Sequence, residues 1–211
     1  MKISNDSGWK EASAKAFEQQ FALNLRELSD PPTHWRFFLE ELARIKNVKR
    51  VVDIGCGVGS FSKLLRMWHG EVEYVGYDYS AAAIKTAKSM WGEFGSFEEK
   101  DYNDLSPSDI QKGDVIVANA LCDVLPDGDE CFNHILSLGS QNVIFLRIRV
   151  TEKDSYYEEY EAYGEINTYA FYHNENKLSE MISTNNYSPP RFSHYSENMI
   201  NLHLEKNNDT N

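Results

Sequence analysis

A carboxylate and three alternating glycines in the first third of the chain have the types and spacing of a ligand-binding loop. Asp53 stands two residues before Gly55, and Gly57 and Gly59 follow at every second position. Glycine tolerates positive φ and lets another molecule approach the backbone with no β-carbon in the way. A carboxylate beside such a loop would repel a pyrophosphate and attract a ligand that carries positive charge. This stretch therefore predicts a binding site for a cationic ligand.

A second carboxylate, Asp78, has the position expected of a nucleoside-binding residue. It ends the segment 72–78, which is predicted to be the next strand along the chain. A carboxylate at the end of the strand that neighbours a glycine loop can accept hydrogen bonds from both hydroxyls of a ribose. The competing interpretation is that Asp78 only caps the following helix, but Ser80 is available for that purpose.

The glycine spacing disfavours a dinucleotide as the ligand. The dinucleotide fingerprint requires glycine or alanine three residues after its second glycine, and Ser60 occupies that place. The additional glycine, Gly59, comes one position early. A nicotinamide-dependent oxidoreductase is therefore the less favoured alternative.

Segment 53–59 resembles motif I of the class I S-adenosylmethionine-dependent methyltransferases, in which an acidic residue precedes three alternating glycines. The resemblance implies that Asp78 binds the ribose, that Asp101 and Tyr102 contact the adenine, and that the end of the fourth strand contacts the methionine part. The cofactor-binding residues that it implies are Asp53, Gly55, Cys56, Gly57, Gly59, Asp78, Tyr79, Asp101, Tyr102, Asn119 and Ala120. The cofactor is then S-adenosylmethionine, and no metal site is expected.

Two residues are candidates for acid–base catalysis. In the resembled family, a common version of the loop after the fourth strand carries Leu-x-His, and Asp123 stands here at the histidine position. Asp123 is expected either to orient or deprotonate the acceptor or to begin the following helix. His173, in a tyrosine-rich segment before the last helix, is the second candidate. A base is needed only when the acceptor keeps its proton at the working pH.

Alternating strands and helices must position these residues. From residue 49 to residue 204 the two patterns alternate, which predicts an α/β three-layer sandwich with parallel strands. The resemblance covers this span and implies a mostly parallel, seven-stranded Rossmann-like sheet whose last strand is antiparallel. The strands are expected at 51–54, 72–78, 97–101, 115–118, 141–150, 191–195 and 199–204. Residues 49–206 are accordingly expected to form the S-adenosylmethionine-binding methyltransferase domain.

Residues 1–48 are expected to form an N-terminal helical cap that packs on this domain. Apolar stripes predict one helix over 17–28 and another over 35–45, separated by Pro31-Pro32. Three residues of this region are candidates for contact with the acceptor: Trp9, His34 and Trp35. Aromatic residues on an apolar helix face usually belong to the core, so packing is the competing interpretation.

Two features of the fifth strand and the segment after it have open interpretations. The first is a pair of arginines in the strand, and the second is a tyrosine-rich segment that follows it. Arg147 and Arg149 alternate with apolar residues and should share one face of the strand. They either hold an acceptor carboxylate or neutralise nearby acidic residues. Segment 155–173 carries six tyrosines among glutamates. It either lines the acceptor pocket or forms an acidic flap over the sheet edge.

The composition restricts the class of partner. The 211 residues include 33 Asp and Glu against 21 Lys and Arg, for a net charge of −12. Such a surface repels a phosphate backbone, so nucleic acid is not an expected partner. Three scattered cysteines, Cys56, Cys122 and Cys131, favour a reducing compartment and match no zinc or disulfide pattern. No membrane span or signal peptide is visible, so a cytoplasmic location is expected.

The function that these observations favour is transfer of a methyl group from S-adenosylmethionine to an O, N or C nucleophile of a small-molecule acceptor. One alternative is a chain that binds the cofactor without catalysis or serves as a partner subunit. The other is the NAD(P)-dependent oxidoreductase. The sequence leaves the acceptor and the oligomeric state open.

Overall fold

The computed structural model describes residues 8–70, 72–164 and 166–207. Within these ranges the chain forms six α-helices and nine β-strands. The helices are α1 (Ala14–Ser29), α2 (Thr33–Arg44), α3 (Ser60–His69), α4 (Ala81–Trp91), α5 (Gly128–Ser137) and α6 (Glu175–Thr184). The strands are β1 (Arg50–Ile54), β2 (Glu73–Asp78), β3 (Ser96–Glu99), β4 (Asp114–Asn119), β5 (Asn142–Thr151), β6 (Tyr156–Ala162), β7 (Ile166–Asn174), β8 (Arg191–Ser196) and β9 (Met199–Glu205).

The strands form one mostly parallel sheet. Its central order is β3-β2-β1-β4-β5, and each of these neighbours is parallel. β9 pairs with β5 in the antiparallel direction, and β8 forms an antiparallel hairpin with β9. The predicted α/β fold and antiparallel last strand are confirmed. Parallel strands place their carboxyl ends at one edge, which is where such sheets bind ligands.

Helices cover both faces of the sheet and complete three layers. Helices α2, α3 and α4 pack on one face in a cluster with Val51 and Ile144, while α5 and α6 pack on the other with Val143 and Phe145. Val143, Ile144 and Phe145 are successive residues of β5, so their side chains alternate between the two faces. The N-terminal helix α2 contributes Trp35 to the same core as β1. The predicted cap and the predicted cofactor domain therefore share one apolar core.

The tyrosine-rich segment forms two strands that the sequence did not predict. β6 and β7 make an antiparallel hairpin between β5 and α6, which raises the number of strands from seven to nine. The first six side chains of β6 are exposed and the last is half-buried. Because no side of β6 packs on a core, its sequence lacks the apolar–polar alternation by which strands are recognised.

The hairpin extends the sheet beyond the carboxyl end of β4. β4 pairs with residues 142–146 of β5, and β7 pairs with residues 149–151. Arg149 pairs with Tyr172 of β7 and with Met199 of β9, so β7 and β9 lie on opposite edges of β5. β4 and β9 also lie on opposite edges of β5, so β4 and β7 pair with the same edge of β5, one after the other. The hairpin thus stands beside the ligand-binding edge of the sheet.

Candidate active site

The glycine loop between β1 and α3 has a backbone that other residues rarely adopt. Gly55, Gly57 and Gly59 have φ angles of 76°, 53° and 74°, within the left-handed region that favours glycine. A β-carbon at Gly59 would lie 2.4 Å from the Phe97 ring. The N–H of Gly55 donates to the carbonyl of Tyr77 at 2.8 Å, which ties the loop to β2. The alternating glycines are therefore required by the turn itself.

Asp78 joins the glycine loop to the start of α4. Its Oδ2 accepts from the N–H of Gly57 at 2.8 Å, and its Oδ1 accepts from the N–H of Ser80 at 2.9 Å. Ser80 caps α4 through its own side chain, as the sequence predicts. Burial raises the pKa of Asp78 to about 6, although the two backbone hydrogen bonds act in the opposite direction. Asp78 therefore lies buried at the predicted ribose position, with each oxygen already oriented by one donor.

Asp53 is a buried carboxylate with one oxygen that has no partner. The Tyr74 hydroxyl donates to its Oδ2 at 2.6 Å. Its Oδ1 is buried, and no group in the described part of the chain bonds to it. Burial, opposed by the Tyr74 hydrogen bond and reinforced by Asp78, raises the pKa of Asp53 to about 7. A cation placed in the adjoining cavity would stabilise the ionised form of this carboxyl.

A cavity of about 270 Å³, called the main cavity below because it holds the predicted site residues, opens above the carboxyl edge of the sheet. A more open groove between α6 and β8 is larger, at about 560 Å³. The glycine loop, the loop after β4, the end of β5, the helices α1 and α2 and the hairpin β6–β7 all contribute to the wall of the main cavity. It brings together these residues predicted to bind or act on ligands: Asp53, Gly55, Cys56, Gly57, Asp78, Tyr79, Asn119, Ala120 and Asp123. Gly59 lies outside the lining, where its missing side chain leaves room for Phe97.

A smaller pocket of about 30 Å³ adjoins the main cavity. Asp101 and Tyr102 line it together with Asp78 and Tyr79, so the predicted adenine contacts stand beside the predicted ribose contact. β3 ends at Glu99 rather than at Asp101 as predicted. Asp101 instead caps a short 3-10 helix over 102–104, where its carboxylate accepts from a backbone N–H.

The far end of the main cavity holds a cluster of charged and amide side chains. The Nε of Arg147 donates to the Asn119 side-chain oxygen at 3.1 Å. Arg149 forms an ion pair with Asp123, whose other oxygen is buried and has no partner among the described residues. Burial raises the pKa of Asp123, against the opposing charges of Arg149 and Arg147. Both predicted arginines therefore line the cavity, but Arg149 is already neutralised.

His173 lies away from the cavity. Its ring is fully buried, and its Nδ1 is 2.7 Å from Asp129 Oδ1. Lys177 bonds to the other oxygen of Asp129 at 2.7 Å. A general base must come within hydrogen-bond reach of the proton that it removes. The structure does not bring His173 into the lining of the cavity, so it does not join Asp123 there.

The N-terminal region closes one side of the cavity. Trp9, His34 and Trp35 all line it, although Trp35 is 1% exposed and also belongs to the core. The Trp9 indole N–H donates to the Thr168 hydroxyl oxygen at 3.0 Å, which links the N-terminus to β7. Burial and then the charge of Arg147 lower the pKa of His34 to about 3, so its ring is neutral. All three residues therefore line the cavity, Trp35 also packs in the core, and their contact with an acceptor stays a prediction.

Several cavity residues escape the sequence analysis. Gln20, Asn24 and Glu27 line the cavity from α1, and Tyr195 and Met199 line it from the β8–β9 hairpin. The spacing of 20, 24 and 27 places three polar residues on one helix face, which is the signal that was available. The predicted stripe used apolar residues alone and included Leu25, which is 44% exposed.

The described residues contain no group of three or more His, Cys, Asp or Glu side chains arranged to hold a metal ion. Nor does any helix in those ranges combine the length and apolar character needed to cross a membrane.

Comparison with known proteins gives a family match and partial matches to curated relatives. The model of a family described as a methyltransferase domain matches residues 45–200. Trans-aconitate 2-methyltransferase of Escherichia coli is 38% identical over 102 residues, which are 47% of this chain and 39% of that protein. The matched part of the chain thus spans well under two thirds of the length of this relative.

Solved structures of methyltransferases share the fold at low sequence identity. An S-adenosylmethionine-dependent methyltransferase of Clostridium acetobutylicum has a TM-score of 0.63 at 14% identity, covering 90% of this chain and 99% of that one. Magnesium protoporphyrin IX methyltransferase of Synechocystis, solved with bound S-adenosylmethionine, has a TM-score of 0.59 at 18% identity, covering 82% and 78%. Because the family model spans the glycine loop and the strands from β1 to β8, this chain belongs to the class I S-adenosylmethionine-dependent methyltransferase family.

Proposed function

We propose that this chain binds S-adenosylmethionine along the glycine loop and transfers its methyl group to a small-molecule acceptor. The observation that carries the proposal is the continuous cavity above the sheet edge. It joins two buried carboxylates, Asp53 and Asp78, to a cationic end at Arg147. A positively charged nucleoside fits the first end, and a second molecule fits between that end and β5.

The residues present fit the cofactor on grounds independent of the family match. Asp53 has a buried oxygen that awaits a donor or a cation, within the described part of the chain. Asp78 is held in place by two backbone N–H groups and keeps further lone pairs for the ribose hydroxyls. Tyr79, Asp101 and Tyr102 surround the smaller pocket, which we assign to the adenine.

The reaction asks little of the acid–base chemistry of the chain. When bound, S-adenosylmethionine supplies a methyl group that its sulfonium already activates. The cavity walls hold the acceptor in line and exclude water, which provides most of the rate enhancement in such a case. Asp123 is paired with Arg149, so we assign it to positioning that arginine. We assign Asn119 and Ala120, at the end of β4, to the methionine part.

A small molecule is the acceptor class that fits the enclosure. Helix α1, the Trp9 region and the β6–β7 hairpin surround the space next to β5, and the net charge of −12 opposes nucleic acid. The two similar proteins are named for trans-aconitate and magnesium protoporphyrin IX as substrates. Those two names support a small-molecule acceptor without identifying the one used here.

Titration calorimetry with S-adenosylmethionine, S-adenosylhomocysteine and NAD⁺ tests the cofactor assignment. We expect both sulfur nucleosides to bind and NAD⁺ not to bind. The variant Asp78→Asn should weaken both nucleosides by about tenfold or more, because it removes a charged hydrogen-bond acceptor. The exposed Asp104, changed to Asn, is the matched control. Tight binding of NAD⁺ with no heat from either nucleoside would contradict the proposal.

Formation of S-adenosylhomocysteine during incubation with a metabolite panel tests catalysis separately. We expect at least one small-molecule acceptor to give turnover. A chain that binds the cofactor and gives no turnover with any member of a broad panel would instead favour a non-catalytic or partner-subunit role.

A further inference from the structure

Arg147 carries the one guanidinium of the main cavity that no carboxylate neutralises within the described ranges. Its Nε bonds to Asn119, a neutral partner, at 3.1 Å, and its terminal nitrogens form no ion pair there within 4.0 Å. Arg149 differs, because it pairs with the Asp123 carboxylate and also donates to the Asp123 carbonyl at 3.3 Å. A half-buried cation without an ion pair loses part of its hydration with no opposite charge in contact to compensate, although the chain has 12 more acidic than basic residues that could supply one.

The backbone of β5 is bent where it presents this side chain. Arg147 has a φ of 62°, a conformation rarely adopted by residues with long side chains. The pairing of β5 with β9 shifts register between Phe145 and Ile148. The N–H of Arg147 donates to the side-chain oxygen of the fully buried Asn201 at 3.0 Å. Bulges of this kind re-aim a side chain beside active sites, and unfavourable backbone angles persist there when the surrounding structure fixes them.

The other described groups at this end of the cavity form no ion pair with Arg147, although its charge also acts on Asp123, which pairs with Arg149. His34 adds no second positive charge, because burial and the charge of Arg147 lower its pKa to about 3 and keep its ring neutral. Burial raises the pKa of Glu27, on the facing helix α1, against the attraction of Arg147, and no ion pair joins the two residues. Tyr160 and Tyr163 from the β6–β7 hairpin complete this end and can donate hydrogen bonds from their hydroxyls.

The cavity is therefore divided electrostatically between its two ends. The glycine-loop end presents Asp53 and Asp78 to a cation, while the β5 end presents Arg147. A guanidinium binds a carboxylate through two parallel N–H···O bonds, which fixes both the position and the orientation of the bound molecule. We propose that the acceptor is a carboxylic acid and that Arg147 binds its carboxylate. This inference rests on the proposed methyl transfer, because it places an acceptor in the same cavity.

Binding of simple acids to the protein saturated with S-adenosylhomocysteine tests the proposal without a known acceptor. The probes are succinate and citrate, with succinamide as the neutral counterpart of succinate, measured by titration calorimetry. We expect the acids to bind and succinamide to bind at least tenfold more weakly. Arg147→Met should weaken the acids by about tenfold or more, whereas Arg147→Lys should keep part of the affinity because it keeps the charge.

Arg26→Met is the matched control, since it removes one positive charge from an exposed residue that does not line the cavity. It should bind the acids as the unmodified protein does. Comparable weakening in Arg26→Met and Arg147→Met would mean that only net charge matters, which would overturn the proposal. Failure of both acids to bind the unmodified protein at millimolar concentration would overturn it as well.

The affinity for S-adenosylhomocysteine separates this inference from the proposed function. If Arg147→Met weakens S-adenosylhomocysteine by tenfold or more, the arginine binds the methionine carboxylate of the cofactor instead, and the acceptor proposal falls. If S-adenosylhomocysteine fails to bind the unmodified protein at all, the proposed function itself fails. The expected result is an affinity for S-adenosylhomocysteine within about threefold of the unmodified protein, which is a small difference in binding free energy.

Discussion

At the scale of single residues, the burial of Asp53 disfavours the ionised form of its carboxyl. The carboxyl is 1% exposed, and one of its oxygens lacks a partner in the described ranges. Burial raises the pKa of this carboxyl to about 7, so its ionised form destabilises the ligand-free protein. Such conflicts between burial and charge concentrate at functional sites. The buried Asp53 carboxylate therefore lowers the stability of the ligand-free protein, and we expect it to attract a cationic ligand.

The first prediction is that Asp53→Asn stabilises the ligand-free protein at alkaline pH. A carboxyl whose pKa rises from 3.8 to about 7 on folding stabilises the fold below pH 4, and this contribution is lost as the pH rises through 7. Asn avoids that loss and can still accept from Tyr74. We expect Tm at pH 8 to rise by about 3–6 °C, for about 1–2 kcal/mol, and the difference to become negligible at about pH 3.5, below the pKa of the unfolded carboxyl. Calorimetric melting at both pH values checks this, and a lower Tm at both would contradict it.

The second prediction concerns the pH dependence of cofactor affinity. S-adenosylmethionine favours ionised Asp53 and Asp78, whose pKa values in the free protein are about 7 and about 6. Binding should lower both pKa values and release protons, so the affinity should fall as the pH drops. We expect binding at pH 5 to be about tenfold weaker than at pH 8, or weaker still. Titration calorimetry across this range checks it, and an affinity independent of pH would contradict it.

The residues of the glycine loop could be identified from the sequence, whereas the role of the catalytic candidates could not. The loop depends on positive φ at successive positions, and glycine meets that demand at 55, 57 and 59. Pairing between distant side chains leaves no comparable local signal. Nothing in the sequence joins Asp123 to Arg149 or His173 to Asp129. These pairs form only because β5 and β7 bring their residues to the segments that follow β4.

At the scale of secondary-structure elements, the β6–β7 hairpin and the N-terminal residues form one wall of the cavity. The N–H of Gly8 donates to the carbonyl of Asn167 at 2.8 Å, and the Trp9 indole donates to Thr168 at 3.0 Å. The Thr168 hydroxyl donates in turn to the carbonyl of Val124, in the loop after β4, at 3.1 Å. This chain of hydrogen bonds ties the N-terminus, the hairpin and the acceptor side of the site together.

The third prediction is that Trp9→Phe loosens the hairpin without unfolding the sheet. Phenylalanine keeps most of the apolar contact and loses the hydrogen bond to Thr168, which is worth about 1 kcal/mol. We expect amide hydrogen exchange in β7 to quicken by about fivefold while exchange in β1 and β4 stays unchanged. Trp68→Phe, at a side chain that is 59% exposed on α3, is the matched control. Unchanged exchange in β7 would show that the contact does not hold the hairpin.

Strand and helix positions followed well from the sequence where one face is buried, and poorly elsewhere. The buried strands β1, β4 and β5 stand where their apolar runs predict. The hairpin escaped because β6 has no buried face, so only its pairing with β7 defines it. The cavity-lining face of α1 was not predicted for a related reason. In a sequence, polar residues that line a cavity look the same as polar residues that face solvent.

At the scale of the whole molecule, the N-terminal helices are structurally part of the sheet domain. Trp35 and Phe38 of α2 are at most 1% exposed, and they pack in the same cluster as Phe61 and Ile144. A cap that could detach would present a more polar underside. The sequence pointed to packing of this region on the core, but it could not tell a detachable cap from a layer of the core itself.

The fourth prediction contrasts two truncations from the N-terminus. Removal of residues 1–12 leaves the Ser13 cap of α1 intact and should preserve cooperative melting. Removal of residues 1–48 exposes the cluster around Val51 and Ile144 and should give an aggregated or unfolded product. Circular dichroism melting and sedimentation of both products check this. A monomeric, cooperatively melting product from residues 49–211 would show that the helices are dispensable for folding.

The sheet ends on β6, whose only neighbour among the described strands is β7. The outer edge of that strand offers backbone groups to any extended segment that approaches, including another copy of the same hairpin. Glu158, Glu159 and Glu161 line the strand and are exposed. Two such edges meeting would bring like charges together, and natural proteins use charged edge residues to prevent this association. High salt screens this repulsion. We therefore expect copies of this protein to begin to associate through β6 at high salt.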